Sequence, residues 1–77
     1  MLWIEVNGKS GVRILLTYEP VLECVKKVKG LGEIEDCNVV PTAVPTIKSI
    51  RISTKLFNCI VSGTVEEISR FKKEIHG

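Results

Sequence analysis

The chain has 77 residues, 44% of them apolar and 26% charged, with a net charge of +2. That balance excludes the disordered class, and so small an excess of positive charge does not by itself imply a nucleic-acid partner. A chain of this length buries only about 60–65% of its unfolded surface, so its core is thin and a partner subunit would add to it.

The opening "MLWIEVNGK" lacks the charged n-region of a signal peptide and reaches Glu5 before any apolar run builds, and no apolar run reaches the length of a membrane span. The expectation is a cytoplasmic protein, without a membrane partner. Cys24, Cys37 and Cys59 are odd in number and form no CxxC pair, and the only histidine is His76. They read as free thiols of a reducing compartment, with a Cys24–Cys37 or Cys37–Cys59 bridge as the alternative. The absence of Gln, the single Asp and the abundance of Ile, Val, Lys and Glu resemble thermophile composition.

Along the chain, Leu2–Val6 alternates as a strand and is followed by Gly8-Lys9-Ser10, the last three letters of a phosphate-binding loop. Such a loop needs an earlier glycine where Trp3 stands, and a helix where "VRILLTY" reads as strand. The segment is therefore expected to be a hairpin with a five-residue loop, Asn7–Gly11. That register sets Val6 opposite Val12, Ile4 opposite Ile14 and Leu2 opposite Leu16 on one face. Glu5–Arg13 and Trp3–Leu15 then lie on the other.

Pro20 opens a short helix whose apolar stripe is Val21, Val25 and Val28, supported by Leu22, and Gly30 closes it. Glu33–Val40 is expected as a strand, Pro41–Thr46 as a proline-punctuated loop, and Ile47–Lys55 as an alternating strand. Leu56–Ser62 either continues that strand past a bulge or stands alone. Thr64-Val65-Glu66-Glu67 spells a capping box, and Val65, Ile68, Phe71 and Ile75 follow at helical spacing.

Residues 1–77 thus read as a single α+β domain, a two-layer sandwich in the order ββαββα. One strand more is added if Leu56–Ser62 is separate. Both helices lie on one face of an antiparallel sheet. The order is similar to a permuted ferredoxin-like fold, with Leu2–Val6 as the strand moved to the front. The tail "IVSGTVEEISRFKKEIHG" is similar to the closing strand-Gly-helix segment of acylphosphatases. That resemblance implies the ferredoxin-like fold and offers acylphosphatase-like catalysis as a further reading. The Gly-rich signature loop and catalytic Arg of that family have no counterpart in this chain.

No cofactor motif and no Ser/His/Asp or Cys/His constellation is present, so the leading expectation is a non-catalytic module. The acidic trio Glu33, Glu35 and Asp36 reads as a solvated edge. With the helices covering one face, Trp3 and Leu15 are expected on the open one, as an interface for self-association into a homodimer or for a protein partner. The alternative is an RNA- or DNA-binding accessory domain using Arg13, Arg51, Lys55 and the Lys26, Lys27, Lys29 cluster.

Overall fold

A computed structural model describes all 77 residues. The chain runs β1 (Leu2–Gly8), β2 (Arg13–Glu19), α1 (Val21–Lys29), β3 (Ile34–Pro41), β4 (Ile47–Thr54), β5 (Phe57–Thr64), α2 (Val65–His76). The five strands form one antiparallel sheet in the order β2-β1-β5-β4-β3, so the element order is ββαβββα. Of Leu56–Ser62, residues 57–62 stand in a separate strand, β5, and Leu56 lies in the turn that precedes it. The turn before it is closed by the buried Thr54, whose Oγ1 accepts from the Phe57 N–H at 3.2 Å. No helix is long and apolar enough to cross a membrane.

The strand order differs from a permuted ferredoxin-like sheet. That arrangement leaves the strand moved to the front at the margin, whereas here β1 is interior and β2 takes the edge. The burial pattern gives the reason. Leu2, Ile4 and Val6 are all essentially inaccessible, which requires neighbours on both sides of β1 as well as a helix above it.

The cross-strand registers put Ile4, Val61 and Ile50 side by side, and likewise Val6, Cys59 and Ile52. Successive side chains of a strand alternate in face, so these six share one surface. They form a single core cluster with Val21, Cys24, Val25 and Val28 of α1 and Ile68, Phe71 and Ile75 of α2. In α1 the fourth member of the stripe is Cys24 rather than Leu22, which is exposed. The 21/24/25/28 spacing is the narrower helical stripe that one sheet face can cover.

In α2 the capping box forms as spelled. Glu67 N–H donates to Thr64 Oγ1 at 3.3 Å, and Thr64 N–H donates to Glu67 Oε1 at 3.2 Å. The Met1 ammonium group also contacts Glu67. That contact, followed by the Thr64 backbone donor, holds the Glu67 carboxyl below its ordinary value.

Gly63 sits where β5 runs into this cap. A Cβ there would stand 2.4 Å from Leu2 Cδ2 and 3.2 Å from Glu67 Oε1. Because Leu2 is fully buried and Glu67 is held by the cap, neither has free room to yield. Gly63→Ala is expected to destabilise the domain by about 1–3 kcal/mol, read as a lower urea midpoint at unchanged slope.

The hairpin loop is shorter than its sequence suggests. Gly8 N–H donates to Val12 O at 2.8 Å and Gly11 N–H to Gly8 O at 2.9 Å, leaving the three-residue loop Lys9–Gly11. Its last position has φ +98°, a left-handed conformation that glycine adopts without steric cost. Lys9 N–H donates to Leu56 O at 3.1 Å, so amides of the Gly-Lys-Ser segment are spent on the hairpin and on the neighbouring β4–β5 turn. The setting is strand–turn–strand, without the helix N-terminus a phosphate cradle needs.

A second irregularity reverses the faces of β2. Asn7 lies opposite Arg13, but Val6 lies opposite Leu15, so one extra residue enters between them. Beyond this bulge the pairs are Glu5–Leu16, Ile4–Thr17, Trp3–Tyr18 and Leu2–Glu19. The expected pairs Val6–Val12, Ile4–Ile14, Leu2–Leu16 and Trp3–Leu15 are therefore replaced. A one-residue slip exchanges the two faces of a strand. Leu15 turns toward the helices and packs against the core, while Leu16 and Tyr18 turn to the open face.

Candidate interaction surface

The open side of the sheet is built by the residues that alternate with the core positions. At one level Tyr18, Trp3, Ser62, Ser49 and Val40 follow one another across the five strands. At the next stand Leu16, Glu5, Ile60, Arg51 and Asn38. Asn7, Asn58, Ser53 and Asp36 make the third. The surface divides into two sectors of different chemistry.

The polar sector lies toward β3 and β4, around a shallow depression of about 440 Å³. Its groups largely satisfy one another. Asn38 Nδ2 donates to Asp36 Oδ1 at 3.0 Å, Ser53 Oγ donates to Asn58 Oδ1 at 3.4 Å, and Asn7 Nδ2 donates to Glu5 Oε2 at 3.1 Å. The hydroxyls of Ser49 and Ser62 lie 2.7 Å apart. Arg51, by contrast, has no ion-pair partner.

The apolar sector lies at the β1–β2 side. Trp3 and Tyr18 are cross-strand neighbours and Leu16 is diagonal to Trp3, within reach of a large ring. They are 48%, 56% and 42% exposed. Nothing in the chain covers them, although every other large apolar side chain of β1 is in the core. The expected pair Trp3–Leu15 is thus divided: Trp3 is on the open face, Leu15 on the helix side, and Leu16 and Tyr18 stand where Leu15 was expected. No pattern within "RILLTYE" announces this, because its apolar residues occupy both parities.

The six cations expected as a nucleic-acid surface are not brought together. Arg13 and Arg51 are on the open face, Arg13 within 3.8 Å of Glu5. Lys26, Lys27 and Lys29 lie on α1, in the opposite layer, with Lys26 near Glu23 at 3.6 Å and Lys27 near Glu19 at 3.5 Å. Lys55 is in the β4–β5 turn. The two arginines of the open face are matched in number by two carboxylates, Glu5 and Asp36.

All three cysteines are free. Burial, the largest cause in each case, pushes the Cys24 thiol up to about 11 and the Cys59 thiol up to about 12; it also raises Cys37, which is only half-buried. Raised values keep a thiol protonated and unreactive near neutral pH. At pH 8 a thiol-specific reagent is expected to label Cys37 first, and Cys24 and Cys59 only as fast as the domain unfolds. The order of labelling is read by mass spectrometry of the digested protein. No group of three or more His, Cys, Asp or Glu is arranged to hold a metal ion. Compared with protein-family models, curated proteins and solved structures, the chain matches none.

Proposed function

We propose that this chain is a non-catalytic assembly module that self-associates through the Trp3, Leu16, Tyr18 sector of its open sheet face. The supporting observation is the placement of three large, half-exposed apolar side chains as immediate neighbours, on a thin domain whose helix-side core is already complete. Large aromatic side chains at the centre of an apolar patch are the residues that carry most of the energy in protein interfaces. The chemistry elsewhere favours binding over catalysis: the polar groups pair with one another, two thiols are buried, and the only histidine ends the last helix.

Sedimentation velocity tests this. The weight-average mass is expected to rise with concentration across the micromolar range, and Trp3→Ala to weaken association by at least about tenfold. A protein that stays monomeric at high micromolar concentration removes the reading.

A second reading is favoured by the adjacent rings of Trp3 and Tyr18 and by the unpaired Arg51, which together suit single-stranded RNA or DNA lying across the sheet. It predicts retardation of a mixed-sequence oligonucleotide at low salt, lost in Arg51→Ala. No retardation at low salt removes it.

A further inference from the structure

We infer that the partner in self-association is a second copy of this chain, added edge to edge, β2 against β2, in antiparallel register about a twofold axis through Thr17. This rests on the assembly reading above and narrows it: the copies join at the β2 edge, with the Trp3, Leu16, Tyr18 sector alongside the joint rather than beneath a second sheet.

The sheet has two open edges, β2 and β3. An open edge presents unpaired backbone amides and carbonyls on every second residue, and proteins guard such edges with charges, bulges and prolines. The β3 edge carries all three: Glu35 and Asp36, an irregularity between Ile34 and Asp36, and Pro41. From Ile14 to Tyr18 the β2 edge carries none of the charges or prolines, and it is flanked by exposed apolar side chains on the open face.

The unguarded stretch is also bounded. At one end the bulge opposite Val6 and Asn7 breaks the regular pleat before Leu15. At the other end Pro20 has no N–H to donate. Five regular residues, Leu15–Glu19, are left.

Two antiparallel copies of one strand are related by a twofold axis normal to the sheet, and residues placed opposite each other then share a face. Only an axis through Thr17 pairs all five regular residues with five regular residues. Axes through Leu16 or Tyr18 pair three, the first running into the bulge and the second into Pro20.

With the axis at Thr17, Leu16 faces Tyr18 of the second copy, and Tyr18 faces its Leu16. Both pairs lie on the open face, and Trp3 stands next in line to Tyr18. Each end of the joint then carries a continuous row of Trp3, Tyr18 and Leu16 of the second copy, all apolar. Thr17 faces its own mate, a favoured cross-strand pair. Glu19, opposite Leu15 of the second copy, does not enter unpaired, because its carboxylate already accepts from Thr17 Oγ1 at 2.9 Å and lies 3.5 Å from Lys27 Nζ. No like charges meet. The product is a ten-stranded sheet with four helices on one side, twice the five strands and two helices of one copy.

The test is a cross-link at the axis. Directly opposed residues of antiparallel strands have Cα atoms roughly 4.5–5.5 Å apart, within the span of a disulfide. In a Cys37→Ser background, Thr17→Cys is expected to form a covalent dimer under mild oxidation, whereas Ser53→Cys, far from the edge, is expected to stay monomeric. A second arm needs no cysteine. Leu16→Lys and Tyr18→Glu are each expected to weaken self-association by at least about tenfold, because each removes the apolar partner in both pairs. An equimolar mixture of the two variants is expected to recover a heterodimer. In it the introduced ammonium of one copy meets the introduced carboxylate of the other, and the remaining pair is the original Tyr18 with Leu16. Association that depends on Trp3 but yields neither the Thr17→Cys cross-link nor the mixed recovery overturns the edge register and leaves the assembly reading standing. A protein monomeric throughout overturns both.

Discussion

Phe71→Ala is expected to cost the domain about 3–5 kcal/mol, a large share of its total stability. Phe71 is fully buried and is the largest of the fully buried side chains. It lies in the middle of α2, one turn from Ile68 and one from Ile75, in the cluster that holds both helices to the sheet. Removing its ring takes away transfer energy and leaves a cavity that a two-layer domain cannot close by moving a third layer. A domain of this size has about 4–12 kcal/mol in total to lose. Urea titration followed by circular dichroism reads the effect best, since Trp3 is exposed in the folded state and its fluorescence reports little of the core. The comparison is made at one protein concentration, because self-association adds to the apparent stability. A loss below about 1 kcal/mol would show that the helix layer is not anchored through this residue.

The second large effect sets two consecutive residues against each other. Ile4→Lys is expected to abolish folding, while Trp3→Lys keeps stability within about 0.5 kcal/mol of the parent and loses self-association. Ile4 is fully buried between Thr17 and Val61 on the helix face. A charge there has no partner, and its desolvation is among the costliest single changes a core can suffer. Trp3 is half exposed on the opposite side of the same strand, with nothing over it. Lysine at that position keeps its ammonium in water and takes an aromatic anchor out of the proposed interface. Circular dichroism and sedimentation on the two variants separate the outcomes. A Trp3→Lys protein that unfolds as readily as Ile4→Lys would mean that Trp3 belongs to the core.

Much of the fold is legible in the residues because it rests on local chemistry. Thr64 and Glu67 spell a cap that forms, and the apolar positions of α2 recur at the helical period, with Ile68, Phe71 and Ile75 buried. Leu2, Ile4 and Val6 alternate and all reach the core. Where the pattern is ambiguous, packing makes the choice. In α1 both Leu22 and Cys24 could complete the stripe, and the sheet's single covered face took the smaller thiol. In β2 the run Ile14-Leu15-Leu16 is apolar at both parities, so the residues themselves do not say which side they face. Trp3 is legible as an open-face residue from the alternation of β1, but its neighbours Leu16 and Tyr18 are not.

By itself the amino-acid sequence determined which segments are helical and which extended, without deciding whether Leu56–Ser62 stands apart from β4, and it determined where α2 begins and that one side of β1 is core while the other carries a tryptophan. Each of these depends on interactions between residues close in the chain. Only the tertiary structure decided that β1 is interior, that β2 is an edge, and that Leu15 and Leu16 face opposite ways from those the hairpin pattern suggests. Those outcomes depend on pairing β1 with the distant β5 and on one inserted residue opposite Val6 and Asn7. A bulge adds a single residue to one strand yet reverses every side chain beyond it.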